Sequence, residues 1–192
     1  MSHARRFLDE TAEIASLIDA SQVDAMVGEL AYLRERKGRL FVIGLGGSAA
    51  NASHAVNDFR KLCGIEAYAP TDNVAELTAR ANDEGWQYIF RDWLLGAKIN
   101  NKDAIFVLSV GGGKDNVSRP IYEAVDTAIN AFAVILGIVG RDGGHTGQYG
   151  HCVIVIPTVE PSRVTPHTEA FQSVILHCLV SHPDLQINKT KW

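Results

Sequence analysis

The chain has 192 residues, 46% of them hydrophobic, with 18 Lys and Arg against 22 Asp and Glu for a formal net charge of -4. This supplies one well-buried core but too little chain for two full domains. The slight acidic excess lacks the basic footprint of a nucleic-acid binder, and no run approaches the ~20 apolar residues that a membrane span needs.

The opening MSHARRFLDE has no apolar segment of the signal-peptide kind, so a cytoplasmic location is expected. From Ala4 to about Arg36 apolar residues recur at helical spacing, which predicts two helices broken near Ser21. The stripe Val23, Met26, Val27, Leu30 and Leu33 suits packing on the chain's own sheet and packing against a second copy equally well. After Gly38 the character changes. Leu40-Phe41-Val42-Ile43 is short, apolar and followed by glycines, as a buried parallel strand is. Three similar runs follow, at 104–108, 133–138 and 152–156.

Between them, the stretches from Ser48 to Leu62, Trp86 to Lys98 and Asn116 to Ala131 have the length of crossover helices. The alternation predicts an α/β fold, a parallel sheet with helices on both faces. Asn82-Asp83-Glu84-Gly85-Trp86 is expected to open a helix, with Asp83 either capping it or directing a carboxylate into a pocket. The proline-bearing segment 157–166 reads as a loop, and a last helix is expected from about Thr168 to Val180. No linker or repeat divides the chain, so residues 1–192 are read as one domain whose 1–37 helical hairpin is an extension of it. Cys63, Cys152 and Cys178 lie outside any CxxC pattern and are expected to be reduced core thiols.

In an open parallel sheet, ligands bind beyond the carboxyl ends of the strands. Three glycine-bearing loops fall there. The first contains Gly46, Gly47 and Ser48 and leads directly into a helix, whose first-turn N–H groups favour an anion. The second runs from Ser109 through Gly111, Gly112 and Gly113 to Lys114, and the third spans residues 140–146. Neither of the first two is a dinucleotide fingerprint or a Walker motif, because the GxGxxG spacing is missing and Lys114 precedes Asp115. A sugar phosphate fits them better than a nucleotide.

His54 and Asp58 stand four residues apart, on one helical face and within reach of a common ion or proton. The last helix offers Glu169, Gln172 and His177. Glu169 and His177 are eight residues apart, ~12 Å along a straight helix, which weakens any joint chelation. Arg60, Lys61, Arg163 and His167 are further candidates for reaching a sugar or phosphate.

GxGGSxxxAxHxxxD from Gly44 to Asp58, ANDEGW from Ala81 to Trp86, GRDGG from Gly140 to Gly144 and E-x7-H at Glu169 and His177, in this order, resemble the sugar isomerase (SIS) fold. More narrowly, they resemble the phosphoheptose isomerase family, which converts sedoheptulose 7-phosphate to glycero-manno-heptose 7-phosphate. The resemblance implies a three-layer αβα sandwich of flavodoxin-like type and a zinc-dependent aldose–ketose isomerase. It implies assembly as a homodimer or homotetramer through the N-terminal helices, with a phosphosugar as substrate. By the resemblance, Ser48, Asn82, Asp83 and Ser109 belong to the substrate site with the loop glycines. His54, Asp58, Glu169 and His177 match the metal-ligand and acid/base positions. Asp58 stands where a glutamate is usual, Glu169 where a glutamine is usual, and Gly111 and Lys114 where two serines are usual. These changes also suit a non-catalytic SIS module that binds a phosphosugar or bridges protein partners.

Overall fold

In the computed structural model, which describes residues 1–190, the four apolar runs are strands β1 (Arg39–Gly44), β3 (Ala104–Ser109), β4 (Val134–Val139) and β5 (Cys152–Val155). A fifth strand, β2 (Glu66–Tyr68), lies at one edge, and the sheet runs β2-β1-β3-β4-β5 with every pairing parallel. The sequence does not announce β2. Its three residues alternate exposed, buried, exposed, and only Ala67 faces the core.

The central strands are apolar on both faces because both are covered. Leu40, Val42, Phe106, Leu108, Leu136 and Ile138 pack into one core with helices α2 (Ala20–Glu35), α3 (Gly47–Lys61) and α8 (Val164–Val180). Phe41, Ile43, Ile105, Val107, Ile135 and Val139 pack into a second with α5 (Ile89–Gly96) and α6 (Arg119–Asn130). The result is a three-layer αβα sandwich in the flavodoxin-like strand order, and α1 (His3–Leu17) adds Ile14 to the first core. Among the described residues no helix is long and apolar enough to cross a membrane.

Several expectations are corrected. The N-terminal hairpin breaks at Ile18 and Asp19, where the Asp19 carboxylate accepts from the Ser21 amide to start α2. The stripe from Val23 to Leu33 is buried against the chain's own sheet and α8, so these side chains are not free for a second copy. An unanticipated helix, α4 (Val74–Asp83), is capped by Asn73; Asn82 and Asp83 therefore close a helix and do not open one. Gly85, at φ +100°, turns the chain into a 3-10 turn at Trp86–Tyr88 that leads into α5. Helix α8 begins at Val164, with Pro166 in its first turn, where a missing N–H costs nothing. All three cysteines are free, but only Cys63 is fully buried, its thiol pushed up to about 11 by desolvation; Cys178 is exposed.

Candidate active site

The chain leaves β1 toward the edge strand and returns across it to β3, so the loops after these two neighbouring strands diverge and leave a crevice between them. The register aligns Gly44 with Leu108 and Ser109 with Val139, which brings all three glycine loops to one end of the sheet. A cavity of about 340 Å³ opens there, lined by Ser48, Ser109, Gly111 and Lys114 together with Ser118, Arg141 and Thr165. Ser48 and Ser109 are both buried. The Ser48 hydroxyl accepts from Gln172 Nε2 at 3.1 Å and the Ser109 hydroxyl accepts from the Gly112 amide at 3.1 Å. With their acceptor sides engaged, both retain an O–H to donate, which is what an anion requires. Gly46, at φ +61°, starts α3 without a side-chain cap, leaving room at the helix's first turn.

The other loop residues divide by role. An added Cβ at Gly112 meets the Gly143 carbonyl at 1.8 Å, and one at Gly113 meets the Tyr122 amide nitrogen at 2.9 Å. These two glycines serve the close approach of the second loop to the third loop and α6, not an open ligand surface. Lys114 Nζ is paired with Asp142 at 2.7 Å, which ties the second loop to the third. Asn82 donates to Asp83 Oδ1 at 2.7 Å, and neither side chain lines the cavity of Ser48 and Ser109. Arg163 and His167 are likewise committed elsewhere: both bind the Glu10 carboxylate, at 2.8 and 2.9 Å, and so fasten α1 to the start of α8. Sequence reasoning missed Ser118 and Thr165, isolated polar residues with no local signal, and used Arg141 only as part of the GRDGG pattern.

Farther along α3, His54, Asp58 and His177 form a three-donor cluster across the α3–α8 contact. His54 Nε2 lies 3.1 Å from His177 Nε2 and 3.2 Å from Asp58 Oδ2, and His177 Nε2 is 3.9 Å from the same oxygen. Two imidazole nitrogens facing each other at that distance share either a hydrogen or a cation. Zinc bonds of ~2.0–2.2 Å in a tetrahedron separate neighbouring donors by roughly 3.3 Å, so this donor set suits a zinc ion that keeps its fourth position open. The Asp58 side chain is only 6% exposed, and its other oxygen accepts from Asn57 Nδ2 at 2.9 Å, which orients it. The histidine side chains are 53% and 60% exposed, so the open side faces outward.

Glu169 does not belong to this cluster. Two turns of α8 separate it from His177, and its carboxylate lies against Gly47 at the start of α3, where an added Cβ would sit 2.5 Å from Oε2. Among the described residues the Glu169 carboxylate has no hydrogen-bond or ion-pair partner. Glycine at position 47 is what allows this approach.

No model of a protein family matches the chain. It is 31% identical to the phosphoheptose isomerase of Trichlorobacter lovleyi over 146 residues, 73% of this chain and 70% of that protein. It is 30% identical to the phosphoheptose isomerase of Geobacter metallireducens over 161 residues, 81% of this chain and 80% of that protein. The solved phosphoheptose isomerase of Neisseria gonorrhoeae superposes with a TM-score of 0.80 at 20% identity, covering 92% of this chain and 95% of that one, a likeness of fold. Kinship of this extent, joined to the sandwich and its crevice, shows that the chain belongs to the phosphoheptose isomerase family and is a phosphosugar isomerase.

Proposed function

We propose that the enzyme interconverts sedoheptulose 7-phosphate and D-glycero-D-manno-heptose 7-phosphate, with zinc held by His54, Asp58 and His177. The observation that carries this reading is the placement of an anion-binding cavity and a three-donor cluster along one helix. Ser48 and His54 are six residues apart on α3, ~9 Å of rise. An open-chain heptose phosphate with ~1.5 Å bonds has roughly that reach from phosphate to carbonyl.

Aldose–ketose isomerisation moves one proton between C1 and C2 through an enediol, and a second between the two oxygens. Both Asp58 oxygens are engaged, one by Asn57 and the other within the cluster, whereas the Glu169 carboxylate is unpaired among the described residues. Glu169 nevertheless lies against Gly47 beside Ser48, at the phosphate end, and a base must reach the reacting carbons; Asp58, whose Oδ2 lies in the cluster at the carbonyl end, is therefore the base that removes the proton from one carbon and returns it to the other. His177, whose ring is more than half exposed, has only Nδ1 left for proton transfer while Nε2 is the cluster donor, and relays the hydroxyl proton between the oxygens through it. Bound zinc supplies a Lewis acid for the carbonyl and for the enediolate charge. The hydroxyls of Ser48 and Ser109 hold the phosphate. The outward exposure of His54 and His177 supports a homo-oligomer in which a second copy closes this side.

The test is conversion of sedoheptulose 7-phosphate by purified protein, with and without a chelator, beside Asp58→Asn saturated with zinc. Chelation is expected to stop turnover and added zinc to restore it. Asp58→Asn at saturating zinc is expected to lose roughly 10²–10⁴-fold in kcat. Wild-type turnover in that variant moves the base to Glu169; no turnover by the zinc-loaded wild type discards the substrate.

A further inference from the structure

We propose that Arg141 is a specificity-determining residue that supplies the cationic part of the phosphate seat, an inference that rests on the phosphosugar reading of this cavity. The second loop has Gly111 and Lys114 where hydroxyls are expected, and its ammonium is already neutralised by Asp142 at 2.7 Å. Arg141 lines the same cavity as Ser48 and Ser109 but arrives from the third loop, and among the described residues its guanidinium forms no ion pair or hydrogen bond. It is thus a cation beside two buried O–H donors with its own donors unspent.

The backbone shows how it is held there. Gly140 N donates to Ser109 O at 3.2 Å and Gly143 N donates to Gly140 O at 3.0 Å, which closes a turn around Arg141 and Asp142. Within it Arg141 adopts φ +53°, a left-handed conformation that non-glycine residues rarely take. The neighbouring Asp142 anchors the turn twice, through Lys114 and through the Gly144 amide at 3.2 Å. Lys114 therefore serves as the strut and Arg141 as the ligand. A guanidinium presents paired N–H donors that match a phosphate monoester dianion, and it discriminates strongly against the unphosphorylated sugar.

Arg141→Gly removes the guanidinium and relaxes the left-handed backbone, so the variant is expected to fold; Arg141→Lys retains the charge without the fork. Binding of inorganic phosphate, read by titration calorimetry, needs no turnover and is measured on all three proteins beside KM and kcat for the phosphosugar. For Arg141→Gly, phosphate affinity is expected to fall roughly ten- to hundredfold, KM to rise in proportion and more than kcat falls, and Arg141→Lys to lie between. Unchanged phosphate affinity and KM in Arg141→Gly overturn the assignment, as does wild-type protein that binds no phosphate. Wild-type protein that binds phosphate through Arg141 yet isomerises no phosphosugar sinks the proposed activity alone.

Discussion

Replacing Gly112 by alanine tests whether the second and third loops are locked together as described. Two costs add at this position. The residue sits at φ +66°, which costs an alanine about 1–2 kcal/mol. The new Cβ would also stand 1.8 Å from the Gly143 carbonyl oxygen, far inside van der Waals contact. That oxygen has little freedom to retreat, because it accepts from the Gly147 amide at 2.8 Å, and Gly112 is itself held, because its own carbonyl accepts from both the amide and the hydroxyl of Thr146, at 2.9 and 2.8 Å, and Thr146 is fully buried. Relief by backbone shift stretches those bonds, about 1 kcal/mol each, or overpacks the junction, about 1–3 kcal/mol. Gly112→Ala is expected to lose about 2–5 kcal/mol, a fall in Tm of roughly 4–20 °C for a chain of this size. Two neighbours separate the contributions. Gly46, at φ +61° and ψ -127° with open space around it, pays conformational strain alone, about 1–3 kcal/mol. Gly111 has neither a positive φ nor a neighbour within 4 Å, so alanine there stays within about 0.5 kcal/mol of wild type. Scanning calorimetry on the three variants gives the order. A Gly112→Ala protein that melts within about 2 °C of wild type refutes the locked junction.

Two further outcomes follow from the charged groups. Asp58→Asn preserves the shape of the side chain but removes the charge between the histidines, and it is expected to weaken zinc binding by roughly 10–100-fold in a chelator-competition titration; equal affinity dismisses Asp58 as a donor. Glu10 is held at about 2, well below its ordinary value near 4.5, by its hydrogen bonds to Arg163 and His167. A depressed carboxylate contributes stability that is complete above the unfolded value and disappears as pH falls through the folded one, so the gap in stability between wild type and Glu10→Gln is expected to close between about pH 4.5 and pH 2. Denaturant unfolding at a series of pH values reads that gap, and a gap independent of pH removes Glu10 from the α1 anchor.

The sequence by itself determined whatever depends on local repetition. The runs that became β1, β3 and β4 are apolar at every position because helices cover both sheet faces, and that pattern needs no knowledge of the partners. The spacing of His54 and Asp58 likewise predicted a shared face of α3, since four residues are close to one helical turn. Even the separation of Glu169 from His177 was legible as rise along a helix. Edge strand β2 was not, because three residues with one inward side chain carry no periodic signal, and α4 was hidden because none of its side chains is fully buried. Which polar groups face the crevice was settled only by contacts between distant segments. The pairing of Lys114 with Asp142 spans 28 positions, and that of Glu10 with Arg163 spans 153. Each such bond removes a charge from the pool that a ligand can use, while Arg141 and the Glu169 carboxylate are left available. A charge is visible in a linear sequence, but whether it is already spent depends on what the fold brings within about 3 Å of it.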